Sequence, residues 1–205
     1  MSAAKPDASG LFDALPTTDD DTTARLHARL VEAARQAGVL DVAYRTVDTP
    51  VGPLLLAATE EGLVRVAFAV QDFDAVLDTL ATRVSPRILR APGRLDDASR
   101  QLEEYLAGRR TMFDLPLDLR LAAGFRRAVL AHLPDIAYGR TESYAQVAAA
   151  AGSPKAVRAV GTACALNPLP LVVPCHRVVR SDGSFGGYAG GPEVKEHLLR
   201  MEEAA

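Results

Sequence analysis

The chain has 205 residues, 48% of them hydrophobic, enough to bury one large core or two modest ones. With a net charge of −3, no apolar run of membrane-spanning length and no basic-then-apolar N-terminus, it reads as a soluble, cytoplasmic protein with no membrane contact. Two cysteines are too few for a disulfide framework, and a metal site built from Cys164, Cys175 and His176 would lack a fourth ligand.

Residues 1–22, rich in Asp, Thr, Ala and Pro, read as a disordered tail. Leu26, Leu30 and Ala34 then set a helical spacing, with Asp21 to Thr23 as caps and Gly38 as the stop. Three strands follow at 42–47, 54–58 and 63–68, the last two joined by a hairpin at Thr59-Glu60-Glu61-Gly62. A helix over 72–82 carries Phe73, Val76, Leu77 and Leu80 on one stripe, and a second runs from Asp96 to Leu106. The Pro116-containing stretch 113–119 reads as an extended linker.

Beyond it the pattern is helical. One helix spans 125–133, and Ser143-Tyr144-Ala145-Gln146 opens another with a capping box. After Gly152, Ser153 caps and Pro154 begins a helix to Leu166, so the pair forms either a helix-turn-helix or an ordinary helical hairpin. The small residues Ala156, Ala159, Gly161 and Ala163 suit close approach to DNA or to another helix and leave that choice open. Leu171 to Val173 reads as a short strand, and Pro192 starts a terminal helix to Glu203.

The chemistry concentrates in Val173-Pro174-Cys175-His176-Arg177-Val178-Val179. A cysteine becomes a strong nucleophile when a neighbouring base or positive charge makes its thiolate accessible. His176 and Arg177 are candidates for those parts. Charge is uneven along the chain: 13 basic against 19 acidic side chains over residues 1–119, net −6, but 10 against 7 over 120–205, net +3. Phosphate attraction therefore belongs to the second half, with Arg126, Arg127, Lys155, Arg158, Arg177 and Arg180 as candidates.

From Gly124 to Glu202 the chain resembles the O6-alkylguanine-DNA alkyltransferases, also called methylated-DNA-protein-cysteine methyltransferases. The resemblance rests on blocks in order: Ala137-Tyr138-Gly139-Arg140-Thr141 with Ser143-Tyr144, Arg158-Ala159-Val160-Gly161, Asn167-Pro168, Pro174-Cys175-His176-Arg177-Val178, Ser181-Asp182-Gly183 and Tyr188-Ala189-Gly190-Gly191. Residues 44–54 (Tyr44-Arg45-Thr46-Val47-Asp48-Thr49-Pro50-Val51-Gly52-Pro53-Leu54) resemble the smaller N-terminal domain more loosely. The implied fold is α/β: a ribonuclease H-like domain with a three-stranded antiparallel sheet and helices, then a mainly helical, winged-helix-like domain with a helix-turn-helix. The expected division is 1–42 extension, 43–119 N-terminal domain with linker, and 120–205 C-terminal domain.

The resemblance implies single-turnover transfer of an alkyl group from O6-alkylguanine in double-stranded DNA, and by extension from O4-alkylthymine, onto Cys175, by a monomer needing no cofactor. In the family pattern His176 takes the thiol proton through a water and Glu202 orients it; together they would lower the thiol pKa by about two or three units from ~8.5. Tyr144 would donate to the leaving guanine, and backbone groups of Val178, Tyr188 and Ala189 would hold its edge. Arg158 would fill the space left by the flipped nucleotide. Asn167 would tie the recognition helix to the cysteine segment, and Phe125 and Arg177 join the DNA- and substrate-contacting set. The chain departs from the family where Arg126 follows Phe125, where Leu130 replaces a tryptophan, and over Thr162 to Leu166. Rival readings are a non-catalytic alkylated-DNA sensor on the same scaffold, a cysteine hydrolase, and a helix-turn-helix regulator.

Overall fold

The computed structural model describes residues 19–203, so the tail reading of residues 1–18 lies outside the described residues. Helix α1 (Asp20–Gln36) begins inside the expected tail because Asp19 accepts from the Thr22 amide and Asp20 and Asp21 suit the positive helix start. Its inward face is His27, Val31 and buried Ala34, whereas Leu26 and Leu30 are more than half exposed. The expected stripe was therefore out of phase by about one residue.

Strands β1 (Val42–Val47), β2 (Leu54–Ala58) and β3 (Leu63–Phe68) form an antiparallel meander. The sheet has one strand more than expected: β4 (Ile88–Arg90) pairs parallel with β1, giving the order β3-β2-β1-β4. Three residues between Pro86 and Pro92 carry too short a pattern to announce a strand. Helix α2 (Phe73–Arg83) lays Val76 and Leu80 on one sheet face, and Asp72 caps it from the left-handed region at φ 57°. Helix α3 (Asp96–Leu106) covers the other face with Ala98, Leu102 and Tyr105.

The free edge of β3 is closed by the 116–118 segment and by Pro168 of the second half. Leu63 N donates to Pro116 O, Asp118 N to Leu63 O, and Val66 N to Pro168 O. The segment expected as a plain linker is thus bridged to the sheet edge, which satisfies backbone groups that an exposed strand would leave open.

The second half contains α4 (Gly124–His132), α5 (Tyr144–Ala150), α6 (Val157–Ala165) and α7 (Pro192–Glu203). Ser143 and Gln146 form the expected capping box. Helix α6 starts later than its Ser153-Pro154 sequence suggests, because residues 153–156 make a turn closed by Ala156 N to Ser153 O. Two parallel two-residue strands, β5 (Glu142–Ser143) and β6 (Val178–Val179), and a bridge from Val179 to Phe185 form the wing.

One core joins both halves. Leu54, Leu56, Val66 and Phe68 of the sheet belong to the same buried cluster as Leu130, Leu133, Leu169 and Leu198. Each buried leucine contributes roughly 1.5–3 kcal/mol, so the halves are held in a fixed relation. Leu130, the departure from the family's tryptophan, is fully buried in this core. Gly62 sits at φ 144°, and a Cβ there would overlap the Pro116 carbonyl. Gly62→Ala is expected to cost about 2 kcal/mol in urea unfolding, while Gly93→Ala, at an open position with ordinary φ, stays near wild type.

Candidate active site

Cys175, His176 and Arg177 occupy a 3-10 turn between the 169–173 turn and β6. The expected strand at Leu171 to Val173 is absent. Leu171 adopts φ 73° and Val173 N bonds Leu169 O, so the chain coils back and delivers the cysteine into the core. Asn167, two residues beyond α6, fixes this turn. Its side-chain amide donates to Val173 O at 2.8 Å and its oxygen accepts from Leu169 N at 2.9 Å.

Glu202, near the end of α7, is buried and receives donors on both oxygens. His176 Nε2 donates to Oε1 at 2.9 Å, Tyr105 OH at 2.5 Å and Arg177 Nη2 at 3.0 Å; Arg177 Nε reaches Oε2 at 2.9 Å and Gly139 N at 3.1 Å. Burial works to raise its pKa, but these donors prevail and hold it at about 2. The carboxylate is therefore ionised throughout the neutral range.

That anion fixes the histidine. Burial lowers the His176 pKa, opposed by Glu202, so the imidazole is neutral with its proton on Nε2. Nδ1, buried and without a partner among the described residues, keeps the basic lone pair. Tyr188 packs edge-on against this ring at 6.1 Å, and Phe68 of the first half packs edge-on against Tyr188 at 5.6 Å.

The thiol departs from expectation. Cys175 is only 3% exposed, and burial pushes its pKa up to about 11, against the pull of the Asn167 amide and the Lys195 charge. The expected two- to three-unit lowering is overturned: burial outweighs the neighbouring donors, and Glu202 acts on the imidazole, not on the sulfur. Cys164 is likewise buried and raised to about 12 by burial. Among the described residues no group of three or more His, Cys, Asp and Glu side chains is arranged to hold a metal ion.

Arg177 is also reassigned. It was expected among the DNA-contacting residues, yet it is buried, clamping Glu202 and donating from Nη1 to Ile136 O at 2.6 Å, so it presents no charge to a phosphate backbone. Phe125 packs partly buried against the core. Arg158 is exposed on the second residue of α6. Tyr144, at the first position of α5, packs its hydroxyl against Gly186, where any Cβ would collide with it, and burial keeps the phenol protonated. Val178 is buried and its carbonyl accepts from Lys195 Nζ at 2.5 Å, while Tyr188 and Ala189 lie partly buried in the following loop.

Two members of this site escaped the sequence. Tyr105 is indistinguishable from a core residue on the α3 stripe. Lys195 had a signal: Lys195, Leu198, Leu199 and Glu202 share one buried face of α7, and two charges on an apolar stripe call for a reason.

Comparison with known proteins matches the 6-O-methylguanine DNA methyltransferase ribonuclease-like domain over residues 42–119 and the DNA binding domain of the same name over 124–204. The chain belongs to the 6-O-methylguanine DNA methyltransferase family. It is 42% identical over 160 residues to the constitutive methylated-DNA–protein-cysteine methyltransferase of Bacillus subtilis, covering 78% of this chain and 94% of that protein. It is 40% identical over 161 residues to the Mycobacterium tuberculosis methylated-DNA–protein-cysteine methyltransferase, covering 78% and 92%. A crystal structure of the M. tuberculosis protein in complex with DNA superposes with TM-score 0.70 at 39% identity, over 79% of this chain and 93% of that one. The first 41 residues of this methyltransferase fall outside both family domains.

A pH titration of thiolate absorbance should show no ionisation of Cys175 between pH 6 and 9 in the free protein. Lys195→Met is expected to move its onset still higher, because a cation that favours the thiolate is lost. Glu202's pKa lies below its unfolded value of 4.5, so its contribution is present above pH 4.5 and lost as pH falls toward 2. Glu202→Gln is expected to flatten acid unfolding across that window.

Proposed function

We propose that this chain repairs DNA by single-turnover alkyl transfer from O6-alkylguanine to Cys175, acting as a monomer. The observation that carries the reading is the buried Glu202–His176 pair beside the thiol. A neutral imidazole with a free Nδ1, backed by a fixed carboxylate, can take the thiol proton through a bridging water when the alkylated base arrives, so the thiolate exists only where it has a carbon to attack. This accommodates a free-protein thiol near 11: the proton is moved in the reaction, not lost beforehand.

In the step itself, sulfur forms a bond to the alkyl carbon as the carbon–O6 bond breaks, and the electron pair goes to guanine. Tyr144, kept protonated by burial, supplies a proton or hydrogen bond to that leaving base. The product is a thioether with no internal route for removal, so each molecule reacts once. Backbone groups of Val178, Tyr188 and Ala189 hold the base edge.

The target carbon is out of reach inside a stacked duplex, so the nucleotide rotates out at a cost of a few kcal/mol. Arg158, exposed at the start of α6, fills the vacated stack in this reading, and Asn167 couples α6 to the cysteine turn. The division into a 43–119 domain and a 120–205 domain carrying binding and transfer follows the same reading. A non-catalytic sensor would have no use for a cysteine with a base and an acid arranged behind it.

Incubation with duplex DNA containing O6-methylguanine should add about 14 Da to the Cys175 peptide, one equivalent per protein. No mass increase, or repeated turnover on an ester, would reject the assignment. Cys175→Ala should abolish transfer yet retain duplex binding. Arg158→Ala should slow transfer from duplex by about 10- to 100-fold while leaving transfer from the free alkylated base nearly unchanged; equal losses on both substrates would contradict the role given to Arg158.

A further inference from the structure

At the junction of the two halves, apart from the cysteine site, a concavity of about 280 Å³ opens between β3, α2 and the segment that follows α6. Arg65 of β3, Arg83 at the end of α2 and Arg126 of α4 line it, with Gln71 and Thr79 but no carboxylate. Several other arginines pair with acids: Arg87 with Asp41, Arg110 with Glu104, Arg120 with Asp118 and Arg177 with Glu202. Among the described residues, these three form no ion pair.

Their environment makes that arrangement costly. Arg126 spends Nη2 on Leu121 O at 2.8 Å, while its Nε is buried without a partner. Arg65 is partly buried, and burial weakens its hold on the proton. Guanidinium groups converging on one space repel and lose hydration unless an anion joins them. A tetrahedral oxyanion matches the fork geometry of guanidinium and fits the volume.

We propose that this junction pocket is an oxyanion site that takes a phosphate group, held by Arg65 and Arg83 from the first half and Arg126 from the second. Its occupant ties the sheet half to the helical half. Leu166, just past the end of α6, lines the pocket, and Arg158 lies on the same helix about 12 Å away, so a DNA strand lying along α6 is one source of the phosphate. Free phosphate is the other. The DNA source rests on the repair reading above; the pocket does not.

The test titrates inorganic phosphate against full-length protein at constant ionic strength, reading the thermal midpoint in wild type, Arg83→Gln and Arg65→Gln/Arg83→Gln. Wild type is expected to gain about 3 °C at roughly tenfold excess over Kd, and the double variant to gain nothing. Exposed Arg83 tolerates substitution, so Arg83→Gln keeps the test open if the double variant folds poorly, and it should lose at least part of the gain. A midpoint shift identical in wild type and Arg83→Gln, or absent from wild type, overturns the site. The salt dependence of DNA affinity then separates the sources: a log–log slope shallower by about 1 in Arg83→Gln assigns the phosphate to DNA, and an unchanged slope assigns it to free phosphate. Alkyl transfer from the free base should be unaffected in Arg83→Gln whichever source is found, which distinguishes failure of the pocket from failure of the repair reading.

Discussion

A single buried carboxylate organises this protein. Glu202 collects donors from α3, from the loop before β5 and from both residues after the reactive cysteine. A carboxylate buried this deeply is tolerated only because its oxygens are so fully bonded, with the Arg177 guanidinium balancing its charge in a low-dielectric interior. The same bonds lock α7 to the cysteine turn and, through Tyr105, lock the sheet half to the site. Stability and chemistry therefore draw on one set of contacts.

The consequence for reactivity runs against the usual picture of an activated cysteine. A surface thiol with a low pKa would react with any passing electrophile, whereas Cys175 is sealed and protonated at rest. The packing of Tyr144 on Gly186 and of Phe68 on Gly190 keeps the covering loop close. Specificity then comes from coupling deprotonation to the arrival of the base. A reagent that is consumed in one event benefits from being silent until the lesion is in place.

Much of this was legible in the sequence, and the failures have physical causes. Strands β1 to β3 and helix α3 followed from short apolar runs, a glycine turn and helical spacing, because local pattern and tertiary packing agree there. Strand β4 was missed because three residues carry no period, and α1 was misphased because Ala34 packs inward while the larger Leu26 and Leu30 do not. Cys175 and His176 stood out as a thiol directly before an imidazole, and Glu202 was named from motif resemblance. Their electrostatics were not readable, since the sign of the thiol shift depends on burial that no spacing reveals. Arg177 shows the same limit: an arginine beside a nucleophile suggests a phosphate contact until the fold turns it inward.

The account stands on the protonation state of His176. The most direct measurement is nitrogen NMR of the labelled imidazole in the free protein from pH 5 to 8. The account predicts a neutral ring at pH 7 with the proton on Nε2 and an unprotonated Nδ1, a pattern lost in Glu202→Gln. A doubly protonated ring at pH 7, or a proton resident on Nδ1, would contradict it, because no lone pair would then be available to receive the proton of Cys175.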